Sequence, residues 1–298
     1  MAVIRAARAS DEELSRTVGG RDAAPPEWQE WAEEPGHDIV AEEDGKVVGA
    51  IHLSIVGRTE AWMENLRVLP EFQGRGLAGQ LVREAEHRAV HYGAAKIRTA
   101  VPAHEYAALA VAHRGGYHRV LQCVVLESHM TAGPRHVPYD APVESPDVTA
   151  APAVAAYAGG TPTLQSWDQL VPLGWRFRRL VPELIRGLIK DTRVLVSMRA
   201  DALRPRARRG QWQAGELQGA AVFVEREDAA VMSLLDGTAP AIQALYGTVT
   251  ERSGRHGLAR TTVFAPSPDS VSALRAEPWT PHPWCPDGLV VVEKSVAS

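Results

Sequence analysis

The sequence is short of cysteine, of lysine and of long apolar runs, and each shortage removes a class of protein. Only Cys123 and Cys285 are present, at no spacing that would ligate a metal, so no metal site is expected. Two lone cysteines in 298 residues read as reduced, buried thiols rather than a disulfide framework. Lysine occurs only at Lys46, Lys96, Lys190 and Lys294. Arginine supplies the remaining positive charge, which fits a GC-rich coding bias. Net charge is −4, which argues against a concentrated basic face and a nucleic-acid partner. No apolar stretch is long enough for a membrane span, and the opening MAVIRAARASDEEL turns charged at once. Neither a membrane segment nor a signal peptide is expected, and the expected location is cytoplasmic.

What is present is a globular composition, 45% hydrophobic and 23% charged, over a length that suits two domains of roughly 150 residues each. The first half alternates between strand and helix patterns. AVIRAA (2–7) reads as a strand, followed by helical stretches from DEEL and over PPEWQEWAEE (25–34), where prolines suit a first turn. Two β runs in HDIVAEEDGKVVGAIHLSIVG (37–57) meet at Asp44-Gly45, a strong hairpin signal. AWMENLRVL (61–69) is a further strand. A helix is predicted from Leu77 to Tyr92, then a strand over 95–102, a helix over 103–116 and long β runs over 117–130. The proline-bearing segment 133–147 reads as a linker. The expected division is therefore 1–132, a linker at 133–147, and 148–298.

The second half reads as a weak repeat of the first. Gly49-Ala50 in VVGAIHLSIV corresponds to Gly219-Ala220 in LQGAAVFVER. Pro102 ends AKIRTAVP as Pro266 ends ARTTVFAP, and VVLES (124–128) corresponds to VVVEKS (290–295). The offset drops by about six residues between the hairpin and ARTTVFAP. In the first copy that region holds a glycine loop; in the second, AAVMSLL (229–235) runs into DGTAPAIQALYG by a short turn.

That loop, QGRGLA over Gln73 to Ala78, lies between the strand LRVLP and the helix GQLVREAEHRAVHYG. Glycines at 74 and 76 allow a tight turn with exposed amides. The helix behind them adds its unsatisfied N–H groups and the positive end of its dipole. Such a nest suits a pyrophosphate, with Arg75 as a further contact.

LRVLPEFQGRGLAGQL resembles the acyl-CoA motif of the GNAT superfamily of N-acetyltransferases, whose loop runs Gln/Arg-x-x-Gly-x-Gly/Ala. Gln73, Gly76 and Ala78 fill its three defined positions, and the order of elements from 2 to 130 is similar to that family's sheet. The resemblance implies an α/β (α+β) fold of tandem GNAT-like domains, each a mixed, largely antiparallel sheet flanked by helices. The second would be a degenerate copy lacking the phosphate loop. It implies acetyl-CoA as co-substrate and a small-molecule primary amine as acceptor, acetylated by direct attack. The main chain of Leu66, Arg67 and Val68 would line the pantetheine arm. Gln73, Gly74, Arg75, Gly76, Leu77, Ala78 and Gly79 would hold the pyrophosphate. The two copies would pack as an internal pseudo-dimer in a monomer, or the chain would form a homodimer.

Glu64 is the candidate base, placed by period-two alternation on the face of Leu66 and Val68. In relatives a Tyr serves as acid, and here that position is Ala112, with Glu105 where an Asn is common. His113 and Tyr106 are substitutes by proximity only. Trp28 and Trp31 with Glu27, Glu30, Glu33 and Glu34 could receive a cationic amine or form a solvated helix face. Glu84, His87 and His91 at helical spacing, and RPRARR (204–209), read as surface residues. Two other readings stay open: an acyl-CoA-binding or regulatory protein without turnover, and an enzyme for another acyl group or an oxygen or sulfur nucleophile.

Overall fold

The computed structural model describes residues 2–8, 11, 36–129, 141–199, 213–226, 229–271, 274 and 278–296. In chain order the described strands are β1 (Val3–Ala6), β2 (Gly36–Glu43), β3 (Lys46–Ile55), β4 (Glu60–Val68), β5 (Lys96–Pro102), β6 (His118–His129), β7 (Val143–Glu144), β8 (Leu170–Leu173), β9 (Arg176–Arg179), β10 (Val194–Met198), β11 (Leu217–Arg226), β12 (Ala229–Gly237), β13 (Arg260–Ala265), β14 (Thr280–Pro281) and β15 (Leu289–Ser295). The described α-helices are α1 (Leu77–His91), α2 (Tyr106–Arg114), α3 (Ala151–Gly159), α4 (Pro162–Ser166), α5 (Pro182–Lys190) and α6 (Ala239–Arg255). This is the expected mixed, largely antiparallel sheet flanked by helices. The chain divides into two compact units, Met1–Val120 with Val290–Ser298, and Leu121–Leu289.

In the first unit the strand order is β1-β2-β3-β4-β5-β15. β1 through β4 pair antiparallel, and β4 pairs parallel with β5. The β2–β3 turn falls at Asp44 and Gly45, both at positive φ (51° and 76°), the backbone that a two-residue hairpin of this hand requires. Leu77, Leu81, Val82, Ala85 and Ala89 recur at helical spacing along α1 and are buried. That stripe packs on Ile39, Ile51, Leu53, Met63 and Ile97 of the sheet, so helix and strand periodicities bury one shared face. Gly49 permits this approach, since a Cβ there would lie 3.0 Å from the Arg67 carbonyl and 3.2 Å from Leu81 Cδ1.

In the second unit the order is β6-β13-β12-β11-β10-β7, with a separate β8–β9 hairpin. α6 buries Leu245 and Val249 against Leu195, Phe223, Met232 and Val263. Gly219 repeats the job of Gly49: a Cβ there would meet Ala241 Cβ at 2.8 Å and Leu245 Cδ1 at 3.0 Å. β12 pairs parallel with β13 only from Ala229–Arg260 to Met232–Val263. The step from bulged strand to helix differs between the units. Residues 69–76 separate β4 from α1, whereas Thr238 alone separates β12 from α6 and caps it by accepting the Ala241 N–H. Cys123 and Cys285 are buried free thiols, and burial pushes the Cys285 thiol up to about 12. Among the described residues no helix is long and apolar enough to cross a membrane.

Candidate active site

β4 and β5 pair only at Glu60–Lys96, Ala61–Ile97 and Trp62–Arg98. Beyond Trp62 and Arg98 the described strands pair no further, so a gap opens at their C-terminal ends. Ends of parallel strands are where α/β sheets receive ligands. β4 is also distorted at this point. Its register against β3 steps from Glu64–His52 to Arg67–Ala50, so Asn65 and Leu66 together face one residue of β3. Asn65 sits at φ 58°, left-handed backbone that Asn tolerates better than most residues. Its Oδ1 is buried with no hydrogen-bond partner among the described residues.

The bulge overturns the expectation that Glu64 shares a face with Leu66 and Val68. One inserted residue reverses the alternation. Glu64 therefore lies on the face of its cross-strand partner His52 and of Arg67, while Leu66 and Val68 pack into the apolar cluster with Met63 and Leu81. Arg67 is half-buried; burial lowers its pKa while the Glu105 carboxylate works in the opposite direction.

The glycine loop follows directly. Gln73 Nε2 donates to the Val68 carbonyl at 3.0 Å and ties the loop to the end of β4. Gly74 and Gly76 have φ of 73° and 80°, and a Cβ built at either meets nothing within 4 Å. Both glycines are thus required by backbone conformation rather than by crowding, and the space above them is open. Gly76 is the N-cap of α1, with no side-chain cap. The helix ladder includes Gln80 N–H to the Gly76 carbonyl, which leaves Leu77, Ala78 and Gly79 among the first-turn amides that lack an intrahelical acceptor. Arg75 lies over the Phe72 ring at 4.9 Å and donates to the Glu71 carbonyl at 2.9 Å.

The substitute acids are at the surface, and the usual acid's position is closed to solvent. Ala112 is buried, Tyr106 is 78% exposed and His113 is exposed. Tyr117 is a core residue: its hydroxyl faces Met63 Sδ at 3.8 Å, and burial, reinforced by Glu86, raises its pKa far above the ordinary tyrosine value. Glu84 pairs with Arg88 at 2.9 Å, and among the described residues no cluster of three His, Cys, Asp or Glu side chains is placed to hold a metal ion. Trp28, Trp31, the glutamates between 27 and 34, and the 204–209 cluster lie outside the described residues.

Sequence reasoning missed a polar line across the sheet. Asp38 Oδ1 lies 2.8 Å from His52 Nδ1, His52 Nε2 lies 3.0 Å from Ser54 Oγ, and Ser54 Oγ donates to Glu64 Oε1 at 3.4 Å. His52 and Ser54 are buried. The signal was available: in AIHLSIV the two polar residues alternate within an otherwise apolar strand, which puts both on one face. The second unit has a related gap past Met232 and Val263, where Leu235, Asp236, Ile242, Phe264 and Leu274 line a cavity of about 130 Å³.

Residues 6–117 match the model of the Acetyltransferase (GNAT) family. A 67-residue segment is 40% identical to histidine N-acetyltransferase of Xenopus tropicalis, covering 22% of this chain. The match spans about a fifth (21%) of that relative's length. Among solved structures, a GCN5-related N-acetyltransferase from Sphaerobacter thermophilus is similar at TM-score 0.63 and 17% identity, covering 100% of this chain and 96% of that one. A tandem GNAT protein from the clavulanic acid biosynthesis pathway is similar at TM-score 0.53 and 16% identity, covering 100% and 99%. These structural likenesses concern the fold, and the sequence match to the Acetyltransferase (GNAT) family falls on the first half of the chain.

Proposed function

We propose that the protein is an acyl-CoA-dependent N-acetyltransferase whose site lies in the first unit. The observation that carries this reading is the pair of left-handed glycines, Gly74 and Gly76, opening an uncapped helix just after a bulged strand that has parted from its parallel neighbour. The loop fits a diphosphate on chemistry and on space: exposed amides, a helix dipole and no side chain in the way. Gln73 to Gly79 would hold the pyrophosphate of acetyl-CoA, and the main chain of Leu66, Arg67 and Val68 would line the pantetheine arm. The bulge frees main-chain groups of β4 from ladder pairing, so an amide there can polarise the thioester carbonyl and stabilise the oxyanion as it forms. Glu64, half-buried at the mouth of the gap, would take a proton from the attacking primary amine. With alanine at position 112, water would protonate the departing thiolate.

The second unit is read as a degenerate copy: it keeps the bulge, the close-packing glycine and the parted parallel strands, while the short Thr238 turn leaves no room for a phosphate loop. The acceptor is read as a small-molecule amine. The relative from Xenopus tropicalis is named for acetylating an amino acid, which is consistent with that class. The test is thiol release from acetyl-CoA in the presence of a panel of small amines, with amine-dependent release expected. Saturable acetyl-CoA binding without release under any acceptor would favour instead a non-catalytic acyl-CoA sensor, a reading that the buried Ala112 supports.

A further inference from the structure

The gap in the second unit repeats the one in the first with its charge reversed. Gly49 faces Val68 and Ala50 faces Arg67 across β3 and β4, while Gly219 faces Gly237 and Ala220 faces Asp236 across β11 and β12. Asp236 thus stands at the register position that Arg67 holds in the first unit. Beyond Met232 and Val263 the described strands β12 and β13 pair no further, and Asp236 lines the cavity of about 130 Å³ that opens there. We propose that this cavity is a binding site for a small organic ammonium ion, a protonated amine on a compact apolar body, with the Asp236 carboxylate as its counter-charge.

Asp236 is the only charged residue among the described residues that line the cavity. Its Oδ2 is buried and has no hydrogen-bond partner among the described residues. An orphan acceptor of this kind is costly, and more so on an anion. The neighbouring groups leave it unanswered. α6 begins at Ala239, and its positive end favours a carboxylate nearby, but none of its amides pairs with Oδ2. Tyr157 feels the same charge: burial first, and Asp236 second, push its hydroxyl up to about 12, so it stays a neutral phenol and offers no cation. An ammonium supplies both the missing donor and the missing charge.

The remaining walls set the size and character of the body behind that charge. Leu234, Ile242, Phe264 and Leu274 are apolar, so water beside them has few partners, whereas a hydrocarbon body takes their surface out of water. A protein cavity of this volume suits a ligand about the size of benzene. Thr163 and Ser270 also line it and add hydroxyl acceptors. Acetyl-CoA is the wrong occupant on both counts. Thr238 alone joins β12 to α6, which leaves no phosphate loop, and Asp236 repels phosphate and carboxylate groups. The site is independent of Glu64 and of acyl transfer.

The test is calorimetric titration of the full chain with isobutylamine and cyclopentylamine at about pH 7, where both are protonated, beside cyclopentanol and cyclopentanecarboxylate. Each ammonium should bind saturably, one per chain, and the alcohol and acid at least about tenfold more weakly than cyclopentylamine, the usual worth of a hydrogen bond to a charged group. Asp236→Asn keeps the shape and removes the charge, and should weaken ammonium binding at least about tenfold. Glu64→Gln should leave it within about twofold. Ala265→Leu fills the cavity and keeps the carboxylate; it should abolish binding, and it keeps the test open if Asp236→Asn does not fold. No saturable binding of either amine up to about 10 mM, equal affinity for cyclopentanol, or undiminished affinity in the folded variants of Asp236 and Ala265 would overturn the site. Binding lost in Glu64→Gln and kept in Asp236→Asn would put the amine in the first unit and overturn it equally.

Discussion

Glu293 is the residue whose removal should most clearly expose how the chain's last strand is held in the first unit. Its Oε2 accepts from Arg98 Nε at 2.5 Å and its Oε1 from Lys96 Nζ at 2.6 Å. The Arg98 side chain is 1% exposed and that of Glu293 5%, so β5 and β15 are joined by an ion pair that water screens little, whereas Lys96 is part-exposed. Glu293→Ala strips both cations of this partner and leaves Arg98 with Glu60, whose Oε1 lies 3.1 Å from Arg98 Nη1. Breaking a buried pair typically costs about 3–5 kcal/mol. Because Glu60 remains, the low end, about 3 kcal/mol, is expected, which for a unit of this size lowers Tm by about 10 °C. Calorimetry would resolve the first unit's transition if the two units melt separately. Burial would raise the Glu293 pKa, but the Lys96 hydrogen bond and the Arg98 charge outweigh it and hold the group below its ordinary value of 4.5. A carboxylate lowered in the folded state contributes its full stability above the unfolded value and loses it as pH falls through the folded one. The gap between wild type and Glu293→Ala should therefore be constant from about pH 6 to 8 and close below about 4.5. A Tm change under about 2 °C at neutral pH, or a gap that widens in acid, would refute the reasoning.

Other outcomes follow from the same contacts. Glu64→Gln should reduce kcat for amine acetylation about 10²-fold or more and leave acetyl-CoA affinity within about twofold, by steady-state thiol release and calorimetric titration. Gly219→Ala, whose new methyl would sit 2.8 Å from Ala241 Cβ and 3.3 Å from the Asp236 carbonyl, should destabilise the second unit by about 1–3 kcal/mol in urea denaturation. Acetyl-CoA affinity should be unchanged in that variant.

Much of the fold was legible because local signals are strong where one face is buried. Asp44-Gly45 marked the hairpin, and the helix predicted from Leu77 to Tyr92 forms over Leu77–His91. The strand expected at 95–102 forms over Lys96–Pro102. Gly49 and Gly219, matched in the sequence, perform the same close packing against α1 and α6. What was hidden is non-local. The run LVVVEKS announces a strand, but nothing in it says that β15 completes the sheet of the first unit. Local pattern gives a strand's faces and not its neighbour. The bulge was hidden for a related reason: Asn65 is tolerated in left-handed backbone without requiring it, so the sequence MENLRV is compatible with either register. That ambiguity decided which face carries Glu64, and with it whether Glu64 stands beside His52 and Ser54.

The most direct test of the central claim is titration of the full chain with acetyl-CoA, beside the variant Gly76→Glu. That substitution puts a carboxylate and a strained φ of 80° into the loop where a diphosphate would lie. Saturable binding at one acetyl-CoA per chain, abolished in folded Gly76→Glu, is the predicted result. No binding to the unaltered chain, or undiminished affinity in the variant, would contradict the account.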